Sequence, residues 1–332
     1  MKICIYGAGA VGGLIAGRLA ESGHEVSVVA RGAHLTAILK DGLRIVSEGK
    51  QTATRLKANN DAARLGAQDC VIVAVKGQSL PGVAANIAPL LGDDTSIVTA
   101  MNGVPWWFFD RLPFASETPG RGGGTLRLES MDPGGALSRA MPTGRIVGCV
   151  VHLSASTPEP GLIRHNMGNR LILGEPGGRN TARTGAVLDA LNQAGFEAEA
   201  SAFIEKDFWV KLLGNISFNP VSALTLATAD RMIGNAYVKD YMVAIMRECL
   251  AIGRAIGVDA DIDPEARMDM ARKLGVFKTS MLQDMEAGKS LEIDGLLTGT
   301  LEIAKKAGVP APFTESLAGL ARLRAESTGQ YR

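Results

Sequence analysis

A chain of 332 residues is long for a single hydrophobic core and points to two domains. Hydrophobic residues make up 46% and charged residues 21%, and 35 Lys+Arg stand against 34 Asp+Glu, so no bulk charge favours nucleic acid or an anionic membrane surface. No apolar run is long enough to span a bilayer, no basic segment precedes a long apolar run at the N-terminus, and Cys4, Cys70, Cys149 and Cys249 form neither a CxxC pair nor a metal-like spacing with the four histidines. No metal site is expected, and a reducing cytoplasm is.

In chain order, short apolar runs at Ile3–Tyr6, Val26–Val29, Cys70–Val75, Ile97–Ala100, Ile146–Val151 and Leu171–Leu173 read as strands, with helical patterns between several of them, first at Val11–Ser22. That alternation is the pattern of a parallel sheet covered by helices. A long segment from Pro113 to Arg145 is rich in Gly, Pro and Ser, and loops of that length are usually functional or mobile. A helix at Thr181–Ala194 leads to a short run at Phe196–Ala200, and after it the strand signal stops. Helices are then predicted over Phe203–Gly214, Tyr237–Ile256, Pro264–Leu274, Met281–Ala287, Leu291–Ala307 and Pro312–Ala325. The expectation is α/β plus all-α: a Rossmann dinucleotide-binding domain over residues 1–201 and a helical substrate domain over 202–332.

The first motif is Gly7-Ala8-Gly9-Ala10-Val11-Gly12, which fits G-x-G-x-x-G directly after a strand and at the opening of a helix. Gly7 permits the tight turn, Gly9 lets a pyrophosphate approach the backbone, and Gly12 lets helix and strand pack closely. The helix N-terminus offers N–H groups and a positive dipole end to the anion. The second strand ends in Ala30-Arg31, where an NAD enzyme carries an acid for the ribose 2′-OH, while Glu25 sits at the opposite end. Arg31 suits a 2′-phosphate, which points to NADP(H). Lys76 and Asn102-Gly103 follow two further strands at their carboxyl ends, where ligands bind in open α/β sheets.

In the second half, Lys211, Asn215 and Asn219 are spaced i, i+4, i+8 in an otherwise apolar helix that ends or kinks at Pro220. A polar stripe on an apolar helix implies a face with partners. The two asparagines alone are equally a packing network. A desolvated lysine is costlier, and desolvation suits a lysine to give up a proton near neutral pH. Ser280 with Gln283 matches a capping box, although a capped N-terminus with a free hydroxyl is also a carboxylate site. Glu292 lies on the next amphipathic stretch.

Over nearly its whole length the sequence resembles the ketopantoate reductase (2-dehydropantoate 2-reductase) family. The glycine loop, Arg31, Lys76 and Met101-Asn102-Gly103 resemble that family's NADP site. Its K-x-x-x-N-x-x-x-N-P signature stands here as Lys211, Asn215 and Asn219-Pro220, and Ser280–Asp284 through Glu292-Ile293-Asp294 is similar to the rest of its active site. The resemblance implies NADPH-dependent reduction of a small 2-keto acid, 2-dehydropantoate to pantoate. It gives Lys211 as general acid, Glu292 as the acid beside it, Asn215, Asn219 and Ser280 as substrate contacts, and Asn102 as a contact to cofactor and active site. It implies no nucleic-acid or membrane partner and allows a homodimer. The chain departs from the family in its longer segment after Asn102-Gly103 and at Ala229-Asp230, where the family carries an asparagine. A non-catalytic NADP sensor and a 2-hydroxyacid dehydrogenase for a bulkier substrate, served by Trp106–Phe109, are the alternatives. Core packing is the other role open to that aromatic run.

Overall fold

A computed structural model of the chain describes residues 1–117 and 126–331. Residues 118–125, within the Gly-rich Pro113–Arg145 segment, lie outside the described residues. The chain forms two compact units, Met1–Met101 with Gly135–Ile204 and Asn102–Gly134 with Glu205–Arg332.

The first unit is built on one mixed sheet of β1 (Lys2–Tyr6), β2 (Glu25–Val29), β3 (Leu43–Ser47), β4 (Lys50–Thr54), β5 (Lys57–Asn59), β6 (Gln68–Val73), β7 (Leu91–Ala100), β8 (Ile146–Glu159), β9 (Leu162–Gly174) and β10 (Glu197–Ala200). The order is β4-β3-β9-β8-β7-β6-β1-β2-β5, with β10 also on β9. From β8 to β5 every pairing is parallel. This is Rossmann winding with one excursion: the chain moves outward from β1 to β2, forms β3 and β4 beside β9, adds β5 next to β2, then returns to the other side of β1 at β6. The crevice at that reversal lies beyond the carboxyl ends of β1 and β6, where the glycine loop and Lys76 follow. Ile3, Cys4, Ile5, Val71, Ile72 and Val73 are buried, as central strands covered on both faces require. The helix Ala10–Glu21 contributes Leu14, Ile15 and Leu19 to the same core. All four cysteines are free and buried.

The second unit has no strand among its described residues. Its helices are Pro113–Glu117, Ile204–Thr225, Ala229–Gly234, Ala236–Ala255, Pro264–Lys273, Ser280–Glu286, Gly299–Ala307 and Pro312–Ser327, with a π-helical turn at Asp294–Thr298. The segment Asn102–Gly134 joins them instead of the sheet it follows in sequence. The reason is aromatic packing: Trp107 meets Phe208 edge-on at 5.5 Å and Phe108 lies 5.7 Å from Trp209. The four residues Trp106–Phe109 are all buried, so they act as core.

The helix expected to end or kink at Pro220 runs from Ile204 to Thr225 with Pro220 inside it. Glu205 and Asp207 favour its N-terminal end through the helix dipole. Proline removes one backbone donor, yet Leu212, Leu213, Ile216, Phe218 and Val221 are buried around it. Ser217 Oγ also donates to the Leu213 carbonyl, and Ser222 Oγ to that of Asn219. Burial of the helix outweighs the lost bond, since tertiary packing supplies most helical stability. No described helix is long and apolar enough to cross a membrane.

Candidate active site

The glycine loop takes its shape from two close approaches. A Cβ on Gly7, whose φ is +102°, would sit 2.5 Å from Val75 Cγ1, and one on Gly12 would sit 2.1 Å from the Gly7 carbonyl oxygen. Gly9 differs: a Cβ there would meet nothing within 4 Å. Gly9 is the N-cap of the helix Ala10–Glu21, which has no side-chain cap and no acid in its first turn. Two glycines therefore close the turn, and the third faces open space before a helix N-terminus that the protein leaves without an anion. These residues fit the pyrophosphate of a dinucleotide. Ala8 and Gly12 are buried, whereas Ala10 and Val11 are only partly covered at the start of the helix.

Arg31 is exposed just past β2. Burial raises the pKa of the neighbouring Tyr6 phenol, as does Cys4, and the Arg31 cation acts in the opposite sense. Arg31 thus lies at the carboxyl end of β1 and β2. Glu25 at the other end is paired with Lys57 at 3.0 Å. One residue of this loop system had no sequence signature. His34 Nε2 donates to the Ala8 carbonyl at 2.6 Å while Nδ1 accepts from the Gly161 N–H at 3.0 Å. It ties the glycine loop to the β8–β9 turn. Lys76 caps the short turn Gly77–Ser79, with its carbonyl accepting from Ser79 N at 2.8 Å.

The second unit assembles the polar residues of the catalytic helix with two other segments. Lys211 Nζ donates to Asn102 Oδ1 at 2.8 Å, and Asn102 Nδ2 donates to Glu292 Oε2 at a longer 3.4 Å. Lysine can only donate and an ionised glutamate only accept, so the two contacts fix the asparagine in one orientation. The backbone holds the chain together. Gly103 has φ +77°, and a Cβ on it would lie 2.3 Å from the Gly295 carbonyl oxygen, which accepts from Val104 N at 2.9 Å. The loop after Asn102 therefore lies directly on the π-helical turn that follows Glu292. Such turns are frequent at functional sites. Gln330 closes this segment from the far side: its side-chain amide donates to the Lys289 and Asp284 carbonyls, and its backbone carbonyl accepts from Leu291 N.

Ser280 is not the cap expected from the S-x-x-Q pattern. Thr279 is the N-cap, its hydroxyl accepting from Leu282 N at 3.1 Å, and Ser280 begins the helix. Thr279 wins because it is buried and also bonded to Ser222 Oγ at 2.6 Å. Ser280 is left exposed, with Asn219 Nδ2 at 3.5 Å from its hydroxyl. Asn215, between Lys211 and Asn219 on the stripe, makes no hydrogen bond through its side chain among the described residues. Sequence reasoning also passed over Arg267, whose guanidinium lies against the catalytic helix at Gly214. Nothing in the run Pro264-Glu265-Ala266-Arg267 distinguishes it from a solvated helical arginine.

A Rossmann sheet with an open glycine loop, and a helical unit with a lysine held by an asparagine that bonds in turn to a glutamate, define a nicotinamide-dependent oxidoreductase. The sequence model for ketopantoate reductase PanE/ApbA matches residues 3–105, and that for the C-terminal part of the same family matches residues 204–325. A 2-dehydropantoate 2-reductase of Mesorhizobium japonicum is 42% identical over 335 residues, 100% of both chains. The crystal structure of a candidate ketopantoate reductase from Ralstonia solanacearum superposes with TM-score 0.93 at 48% identity, covering 99% of each chain. D-mandelate dehydrogenase, solved with NADH and anilino(oxo)acetate, shares the fold at TM-score 0.84 and 20% identity over 99% of each chain. The chain belongs to the ketopantoate reductase family.

Proposed function

We propose that the chain reduces 2-dehydropantoate to pantoate with NADPH, the reduction that serves pantothenate and coenzyme A synthesis. The observation that carries this reading is the run of contacts from Lys211 Nζ through the Asn102 amide to Glu292. A bound reduced dinucleotide supplies a hydride to the carbonyl carbon. The carbonyl oxygen then gathers negative charge and needs a proton, and Lys211 is the cation and donor for it. Asn102 orients the Lys211 amine by accepting one of its protons. Glu292 acts through Asn102 by keeping its amide oxygen turned to the lysine. Asn215, Asn219 and Ser280 are the substrate contacts.

On the first unit, Gly7 through Gly12 hold the pyrophosphate, Arg31 takes the 2′-phosphate, and Lys76 is a further cofactor contact. The choice of NADPH rests on Arg31 and on the absence of an acid at the tip of β2. Initial rates with 2-dehydropantoate under saturating NADPH and NADH test both parts. Turnover with a kcat/KM preference for NADPH is expected. A preference for NADH, or faster turnover of other 2-keto acids, would overturn the corresponding part. The bulkier-substrate alternative drew on Trp106–Phe109, and burial of those four side chains removes its motive.

A further inference from the structure

Gln330 and Tyr331 follow the helix Pro312–Ser327, and neither has a sequence signature. Gly329, with φ +69°, turns the chain back in a Schellman motif: Gly329 N donates to the Glu326 carbonyl at 3.0 Å and Gln330 N to that of Ala325 at 2.7 Å. Gln330 is thereby buried, and a buried primary amide must find acceptors for its two donor hydrogens. Its Nε2 donates to the Lys289 carbonyl at 2.7 Å and the Asp284 carbonyl at 3.1 Å, with the Met285 carbonyl at 3.4 Å. Asp284 and Met285 lie in the last turn of the helix Ser280–Glu286, where carbonyls lack partners within the helix. The Gln330 backbone carbonyl accepts from Leu291 N at 3.0 Å. One residue thus fastens the end of one helix and the stretch leading to Glu292 onto the end of another helix.

Tyr331 makes the second hold. Its hydroxyl donates to Asp294 Oδ1 at 2.9 Å, and burial, with the bond to Asp294, raises the pKa of the phenol, so it stays a donor. Asp294 also accepts from Thr298 Oγ1 at 2.8 Å, within the π-helical turn that it opens. Glu292 stands between the two held positions, Leu291 and Asp294. The next residue, Gly295, is the one against which Gly103 packs, so the same hold also sets the loop that carries Asn102. The contact between the two segments is sensitive to placement. Asn102 Nδ2 lies 3.4 Å from Glu292 Oε2, near the limit of a hydrogen bond, and a shift of about half an ångström decides whether it exists.

We propose that Gln330 and Tyr331 are positioning residues for proton delivery: by holding Leu291 and Asp294 they place the Glu292 carboxylate against the Asn102 amide, and that amide orients the Lys211 amine. This rests on the reductase reading above and adds two residues that act through Glu292.

The test uses the full chain with NADPH and 2-dehydropantoate, at a temperature where every variant is folded. Gln330→Met keeps the length of the side chain and removes its amide. Tyr331→Phe removes one hydroxyl and leaves Asp294 its bond to Thr298, so the outcome does not depend on Gln330→Met folding. A misplacement of about 1 Å can cost about 10²-fold in rate, so kcat should fall about 10–100-fold in Gln330→Met and several-fold in Tyr331→Phe. KM for NADPH and for the keto acid should stay within about twofold, because the interaction lost is one made in the transition state. The solvent deuterium isotope effect on kcat should rise, because a misaligned donor makes proton transfer limit more of the rate. A simple loss of folded enzyme lowers kcat without moving that isotope effect. In a Glu292→Ala background either substitution should cost less than about twofold in kcat, since the group it positions is gone. Undiminished losses in that background, or a lower kcat with the wild-type isotope effect, would make both residues structural and overturn the proposal. Wild type that turns over no 2-keto acid would sink the reductase reading and this proposal with it. Wild-type turnover with an unchanged kcat in both variants would sink this proposal alone.

Discussion

Replacing Lys211 by alanine removes the group proposed to deliver the proton, and the surroundings give the size of the effect. Lys211 is half-buried and its amine donates to Asn102 Oδ1 at 2.8 Å. Loss of a general acid costs about 10²–10⁴ in rate, roughly 3–5 kcal/mol of barrier. The effect on folding is smaller. Each partly exposed hydrogen bond that is lost contributes about 1 kcal/mol, and Asn102 retains its contact to Glu292. At about 2–4 °C per kcal/mol, the melting temperature should change by only a few degrees. The glycine loop and Arg31 belong to the other unit, so NADPH should bind Lys211→Ala with nearly wild-type affinity by fluorescence titration. Lys211→Arg separates two roles, because guanidinium keeps the charge but is a poor proton donor near neutral pH. It should hold KM closer to wild type than alanine does while still losing most of kcat. Glu292→Ala should slow turnover as well, and the double variant should lose less than the sum of the two if they act as one unit. A kcat for Lys211→Ala within a few-fold of wild type, measured where chemistry limits the rate, would refute the reasoning and leave the stripe structural.

Arg31→Asp should reverse or flatten the NADPH-over-NADH preference, by about tenfold or more in kcat/KM, with turnover on NADH preserved. Gly103→Ala should be severe, because it combines a left-handed backbone with a contact 2.3 Å from the Gly295 oxygen; destabilisation of about 2 kcal/mol or more and a drop in kcat are expected from melts and kinetics. The His34 imidazole is held below its ordinary value of 6.5 by burial, so the folded chain binds that proton more weakly than the unfolded chain does. Its contribution to stability is complete above about pH 6.5 and declines as pH falls through the lower folded value. His34→Gln, which can still donate to Ala8 and accept from Gly161, should flatten that decline in denaturant melts taken between about pH 7 and 5.

The parts legible in the sequence are those whose side chains report their environment. β1, β2, β6 and β7 are apolar because both faces are covered, and the glycine loop is written in residues that no other backbone path demands. What escaped has weak or misleading chemistry. β4 is Lys50-Gln51-Thr52-Ala53-Thr54, almost entirely exposed, and β5 has three residues, so neither carries an alternating pattern. β8 and β9 were readable only where they enter the core; their outer halves, Ser154–Glu159 and Arg164–Asn169, are polar and pair with each other beyond it. The lysine–asparagine stripe was visible from spacing. Its link through Asn102 to Glu292 was not, because that depends on Gly103 lying against Gly295, nearly two hundred residues on. At Ser280 the neighbouring threonine caps instead, and the deciding contact, Ser222 to Thr279, spans 57 residues. Local patterns locate polar residues; long-range packing decides which of them meet.

The central claim, an NADPH-dependent 2-keto acid reductase that uses Lys211 as its acid, is tested most directly by one kinetic comparison. Wild type and Lys211→Ala are each saturated with NADPH and offered 2-dehydropantoate, and loss of reduced cofactor is followed with product identified as pantoate. The account predicts stoichiometric NADPH oxidation and pantoate formation by wild type, and a kcat lower by about 10²–10⁴ in the variant with NADPH affinity retained. Wild type that binds NADPH without reducing the keto acid, or a variant that reduces it as fast as wild type, would contradict the account.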